Sequence, residues 1–111
     1  MGIINFQNRH MTAVKTAPNG IVNQNTVFVF QQFGERVLAS YAGGKVKRGM
    51  LVGRVDHNNL SFSYAQEDLE GKVTGGTSDC DIRLLTDGRV QLLEYFDWPG
   101  GKGLNIIEES P

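Results

Sequence analysis

The sequence predicts an all-β protein, an antiparallel meander of eight to ten strands closed into a small barrel. Three observations carry this. Valine, isoleucine and threonine make up 22 residues and the aromatics another ten, against five alanines, a mixture that suits a pleated surface better than a helix. Turn-forming clusters such as Pro18-Asn19-Gly20, Phe33-Gly34, Gly43-Gly44 and Asp87-Gly88 break the chain at short intervals. Between these breaks no window of eleven or more residues holds a 3.6-residue apolar period.

The segments between breaks give strands at 10–16, 23–31, 36–42, 45–55, 60–66, 72–77, 80–85, 89–98 and 104–108, with a further N-terminal strand over 3–7. Their connections are too short for parallel crossovers, so neighbours pair as hairpins. The clearest hairpin is Leu84-Leu85-Thr86-Asp87-Gly88-Arg89-Val90, where Asp-Gly separates two strand-like runs. Residues 65–69 are too few for a helix. About eight strands of about eight residues, with loops of about four, occupy roughly 90 residues. Closure removes the exposed edges such a meander would leave, and a two-sheet sandwich is the competing architecture. Gly49, Gly53, Gly75 and Gly76 fall inside strands, where a bend, a bulge or a close backbone approach is expected.

Alternation then assigns faces. Leu60, Phe62, Tyr64 and Gln66 share one side of their strand, and Val90, Leu92, Glu94, Phe96 and Trp98 share the more apolar side of theirs. Glu94 therefore lies among apolar neighbours and needs a partner or a wet cavity. Arg48 and Arg54 are ion-pair candidates if their face of 45–55 turns inward; if the Gly49 and Gly53 face does, Glu94 is left with Tyr64, Tyr41 or water. Either Val27 and Val29 or Phe28 and Phe30 face outward, and Leu93 and Tyr95 lie opposite the interior set. Such surfaces predict cover by the N-terminal segment or a homodimer.

At 111 residues the chain suits a single domain, residues 1–111, able to fold without metal or disulfide. Cys80 is its one cysteine and reads as core filling. No apolar stretch is long enough for a membrane and the start does not read as a signal peptide, which predicts a cytoplasmic protein. The net charge is -1, with +6 over residues 1–55 and -7 over 56–111; adjacent strands or subunits can complement one another in this way. An anionic ligand near Lys45 and Lys47 competes with a solvated basic hairpin as the reading of that segment. Nucleic acid is not an expected partner, because the aromatics share the inner face rather than a basic groove. Gly100-Gly101-Lys102-Gly103 lacks the spacing of a phosphate cradle and reads as a hairpin loop. His10 and His57 are isolated, so no metal or other cofactor is expected.

The runs Thr26-Val-Phe-Val-Phe, Ser40-Tyr-Ala-Gly-Gly-Lys-Val-Lys-Arg-Gly-Met-Leu-Val-Gly-Arg-Val, Leu60-Ser-Phe-Ser-Tyr-Ala-Gln and Leu93-Glu-Tyr-Phe-Asp-Trp resemble a family of small bacterial proteins often labelled N-acetylglutamate synthase. The resemblance implies a compact calycin-like barrel, similar in outline to lipocalins and avidin. Tyr41, Gly44, Gly49, Gly53, Tyr64, Gln66, Glu94 and Trp98 fall in its recurring pattern. An acetyltransferase needs a mixed α/β fold with a helix N-terminus for the cofactor pyrophosphate, which this chain does not offer, so the barrel carries over and the transferase activity does not. The expected function is non-enzymatic binding of a small molecule in the barrel interior. Tyr41, Tyr64, Gln66 and Glu94 would supply polar contacts, and Phe62, Phe96 and Trp98 an apolar wall. The alternatives are an enzyme using Glu94 as acid or base with Tyr64, and a packed barrel with a structural or interaction role.

Overall fold

The computed structural model describes residues 4–110. Eight strands run in order: β1 (His10–Lys15), β2 (Val27–Phe33), β3 (Arg36–Gly43), β4 (Val46–Asp56), β5 (Asn59–Asp68), β6 (Val73–Leu84), β7 (Val90–Trp98) and β8 (Gly101–Glu109). Each pairs antiparallel with the next, and β8 returns to β1, so the sheet is a closed barrel in sequence order. No edge strand is left unpaired, which is what closure achieves over a sandwich.

The inward faces follow the alternation. Phe28 and Phe30 are buried on β2 while Val27 and Val29 face out. On β4 the face with Gly49, Leu51 and Val55 turns inward, and a register shift between Val46 and Arg48 brings Val46 in as well. Phe6, Met11, Phe30, Leu60, Leu92 and Ile107 are among the fully buried core side chains.

Four expectations are corrected. Residues 72–77 and 80–85 form one strand, β6. The polar Thr77-Ser78-Asp79 stretch does not break it, because Asp79 accepts outside from Asn59 Nδ2 at 2.8 Å and Ser61 Oγ at 3.1 Å while Ser78 turns into the barrel. At 23–26 the expected start of a strand is a turn, in which the Asn25 N–H donates to Asn23 Oδ1 at 2.9 Å and the Asn23 N–H to Thr26 Oγ1 at 3.1 Å. Gly101, Lys102 and Gly103 belong to β8 rather than to a loop. Of the expected strand at 3–7, residue 3 lies outside the described residues and Ile4 to Gln7 form no strand. Phe6 instead plugs one end of the barrel, its ring 5.3 Å from Phe30 and its N–H donating to Gln32 Oε1 at 2.7 Å, so this segment closes an end and does not cover an outer face.

The in-strand glycines have a common geometry. Inward aromatics sit directly opposite glycines on the neighbouring strand: Tyr41 with Gly49, Phe62 with Gly53, Tyr64 with Gly76 and Phe96 with Gly103. A Cβ on Gly49 would collide with the Tyr41 ring. Its absence lets that ring lie across β4, and the Tyr41 hydroxyl donates to Gln66 Oε1 on β5 at 2.8 Å.

Gly49→Val is expected to displace the ring, break this hydrogen bond and destabilise the barrel by about 1–3 kcal/mol, the usual cost of overpacking. Urea unfolding checks this; unchanged stability would mean that the ring does not depend on the glycine.

Candidate functional site

The end of the barrel opposite Phe6 holds the candidate site. There β7 and β5 present their inward residues beneath the loop joining β1 to β2, and Gly20, Ile21 and Val22 of that loop cover them. Ile21 and Val22 pack against the core. Loop anchors are polar: Thr26 Oγ1 donates to the Gly43 carbonyl at 3.0 Å, Asn19 Nδ2 to the Lys102 carbonyl at 3.0 Å, and the Ala17 N–H to Asn105 Oδ1 at 3.0 Å. Beneath it lies a cavity offering about 20 Å³ to water centres, room for about one or two water molecules.

All seven residues singled out from the sequence line this cavity: Tyr41, Phe62, Tyr64 and Gln66 from β3 and β5, and Glu94, Phe96 and Trp98 from β7. Phe28 completes the aromatic lining and stacks on Tyr41 with ring centroids 4.6 Å apart. Phe62 and Tyr64 meet edge to face at 6.1 Å. The Trp98 Nε1–H is buried and has no acceptor among the described residues.

Glu94 is 6% exposed. Ser78 Oγ donates to its Oε2 at 2.6 Å, and Asn105 Nδ2 to its Oε1 at 3.0 Å. Arg48 and Arg54 are not its partners. Both lie on the outer face of β4, Arg48 3.3 Å from Glu67 and Arg54 3.9 Å from Glu35. The physical reason is the close aromatic packing that needs the glycine face inside. Tyr41 hydrogen-bonds Gln66 rather than Glu94, and no hydrogen bond joins Tyr64 to Glu94 among the described residues. Glu94 thus has no cationic neighbour there, and burial pushes its carboxyl above the ordinary value, opposed by the bonds from Ser78 and Asn105. Burial, then the Glu94 charge, pushes the Tyr64 hydroxyl up to about 12, and the same causes raise Tyr41 further. Cys80, fully buried in the core, is likewise held as a thiol by burial and by Glu94. The acid–base pairing of Glu94 with Tyr64 therefore has no hydrogen-bonded geometry behind it.

Sequence reasoning missed Ser78, Asn105 and the covering loop. Ser78 fell between the strands expected at 72–77 and 80–85 and was given no face. Asn105 had a usable signal, since it shares a face with Ile107 two residues on.

The raised Glu94 carboxyl has a calculable consequence. Above the ordinary value of 4.5 the unfolded chain releases this proton before the folded chain does, so stability falls as pH rises and levels off above the folded value. Wild type minus Glu94→Gln, measured by urea unfolding from pH 4 to 9, is expected to decline with pH; a rising difference would contradict the assignment.

The family model for Avidin-like proteins matches residues 4–110. No curated protein matches the chain, and no solved structure does. The match agrees with an all-β closed barrel and not with the mixed α/β fold of an acetyltransferase. With almost the whole chain matched and eight antiparallel strands closed in sequence order, the protein belongs to the avidin-like family.

Proposed function

We propose that the protein is a non-enzymatic binding barrel that takes a small molecule at the end covered by the β1–β2 loop. One observation carries the reading: a buried carboxylate, Glu94, without a counter-ion among the described residues, at the wall of an aromatic-lined cavity. Two donors leave lone pairs on both of its oxygens, and the Trp98 Nε1–H lacks an acceptor. A ligand with N–H donors meets the free lone pairs of the carboxylate. With room for only a water or two beneath the loop, a larger ligand enters by displacing Ile21 and Val22. The loop reports on the site, because Asn105 bonds Glu94 through Nδ2 and the Ala17 amide through Oδ1.

Native mass spectrometry of protein purified from its own source tests this. A stoichiometric small molecule is expected, lost on unfolding; protein that carries none and binds nothing in a metabolite screen would favour a packed structural barrel.

The protein's surroundings are part of the proposal. A single buried thiol suits a reducing compartment, and we assign the protein to the cytoplasm. No helix among the described residues is long and apolar enough to cross a membrane. The outer face of β2 to β5 carries Val29 opposite Ser40, Ser40 opposite Met50 and Met50 opposite Ala65. Met50 is 63% and Val52 56% exposed on a strip they share with Val29, Leu38, Ser40 and Ala65, an apolar surface that fits a second copy across a two-fold axis. Analytical ultracentrifugation is expected to show a dimer that Met50→Glu dissociates; a wild-type monomer at all concentrations would refute this interface.

A further inference from the structure

We infer that the group this site seats against Glu94 is a small organic cation, a protonated primary amine, held by the carboxylate and the surrounding aromatic side chains. The inference rests on the binding reading above and names its chemistry.

Charge comes first. No lysine, arginine or histidine lines the cavity, so no side chain there competes for Glu94. Its donors, Ser78 and Asn105, are both neutral. An ionised carboxylate out of water is costly unless an opposite charge meets it. A cationic ligand supplies that charge, whereas an anion meets repulsion. The wider field has the same sign: Glu94 and Asp97 both act to hold the Tyr64 proton, and Glu94 acts on Tyr41.

The walls agree. Phe28, Tyr41, Phe62, Tyr64, Phe96 and Trp98 line the cavity, and aromatic faces attract ammonium and guanidinium groups, most strongly where water is excluded. Unlike a purely apolar ligand, a cation uses both the rings and the carboxylate. A neutral amide shares the hydrogen bonds to Glu94 but gains neither the ion pair nor the attraction to the rings. Space for about one or two water-sized atoms suits an ammonium headgroup, with any longer chain leading out past Gly20, Ile21 and Val22.

Trp98 is the chain's single tryptophan and reports from inside the site. The test titrates methylammonium chloride into the full chain, following Trp98 emission and the Asn105 side-chain amide resonances, with potassium chloride, acetate and acetamide as comparison probes. Saturable change with methylammonium is expected, at least tenfold weaker in Glu94→Gln, absent with potassium chloride and acetate, and tighter as pH rises and Glu94 ionises. Acetamide binding as tightly as methylammonium, in wild type and Glu94→Gln alike, would overturn the cation assignment and leave the binding cavity standing. No response to any probe would overturn both. Should Glu94→Gln not fold, the pH series on wild type decides, and pH-independent methylammonium binding refutes the inference.

Discussion

A carboxylate held out of water with only two neutral donors is the constraint around which this barrel end is arranged. Each charge-assisted hydrogen bond returns roughly 1.5–3 kcal/mol, while desolvating the ion costs several kcal/mol. The bonds from Ser78 and Asn105 therefore leave Glu94 short of compensation, and its carboxyl keeps its proton to higher pH than a solvated one. The donors also fix its position. Ser78 pairs with Phe96 across β6 and β7, and Asn105 lies directly opposite Glu94 on β8. Because Asn105 also accepts from Ala17, the carboxylate, β8 and the covering loop share one hydrogen-bonded chain.

The cavity beside it exists because glycines stand opposite aromatics. A small eight-stranded barrel is narrow enough to fill with side chains, and at the Phe6 end it does so with Phe30, Leu60 and Leu92. At the other end the rings of Tyr41 and Phe96 fold across Gly49 and Gly103, and Phe62 and Tyr64 stand opposite Gly53 and Gly76. A ring laid over a glycine occupies less of the interior, and a small cavity remains beside Glu94. The glycines thus give the avidin-like barrel both its tight walls and its vacancy, at the expense of local strand propensity.

Much of this was legible in the amino-acid order. The alternation of Leu60, Phe62, Tyr64 and Gln66, and of Leu92, Glu94, Phe96 and Trp98, placed six of the seven site residues on inward faces, because a strand's period of two leaves little freedom once one face is apolar. The inward face of β4 was not legible, since both of its faces carry apolar residues and the choice depends on where the Tyr41 ring lies. Nor were the partners of Glu94. Ser78 and Asn105 lie 16 and 11 residues away and meet it through the pairing registers of β6 and β8, which short-range pattern does not encode. The covering loop escaped as well: Ile21 and Val22 lay between the Pro18-Asn19-Gly20 break and the strand expected from Asn23, and their packing over the barrel end depends on contacts distant in sequence.

Family membership accounts for the barrel, and within it the site is an acid in an aromatic chamber under a loop tied to its own hydrogen-bond partner. Beneath all of it, Glu94 is buried and has no positive neighbour among the described residues. Carbon-13 NMR of the Glu94 side-chain carboxyl, followed through a pH titration of the ligand-free protein, measures that directly. The account predicts a midpoint clearly above the ordinary 4.5. A midpoint at or below it would mean that a cation or bulk water already reaches the carboxylate.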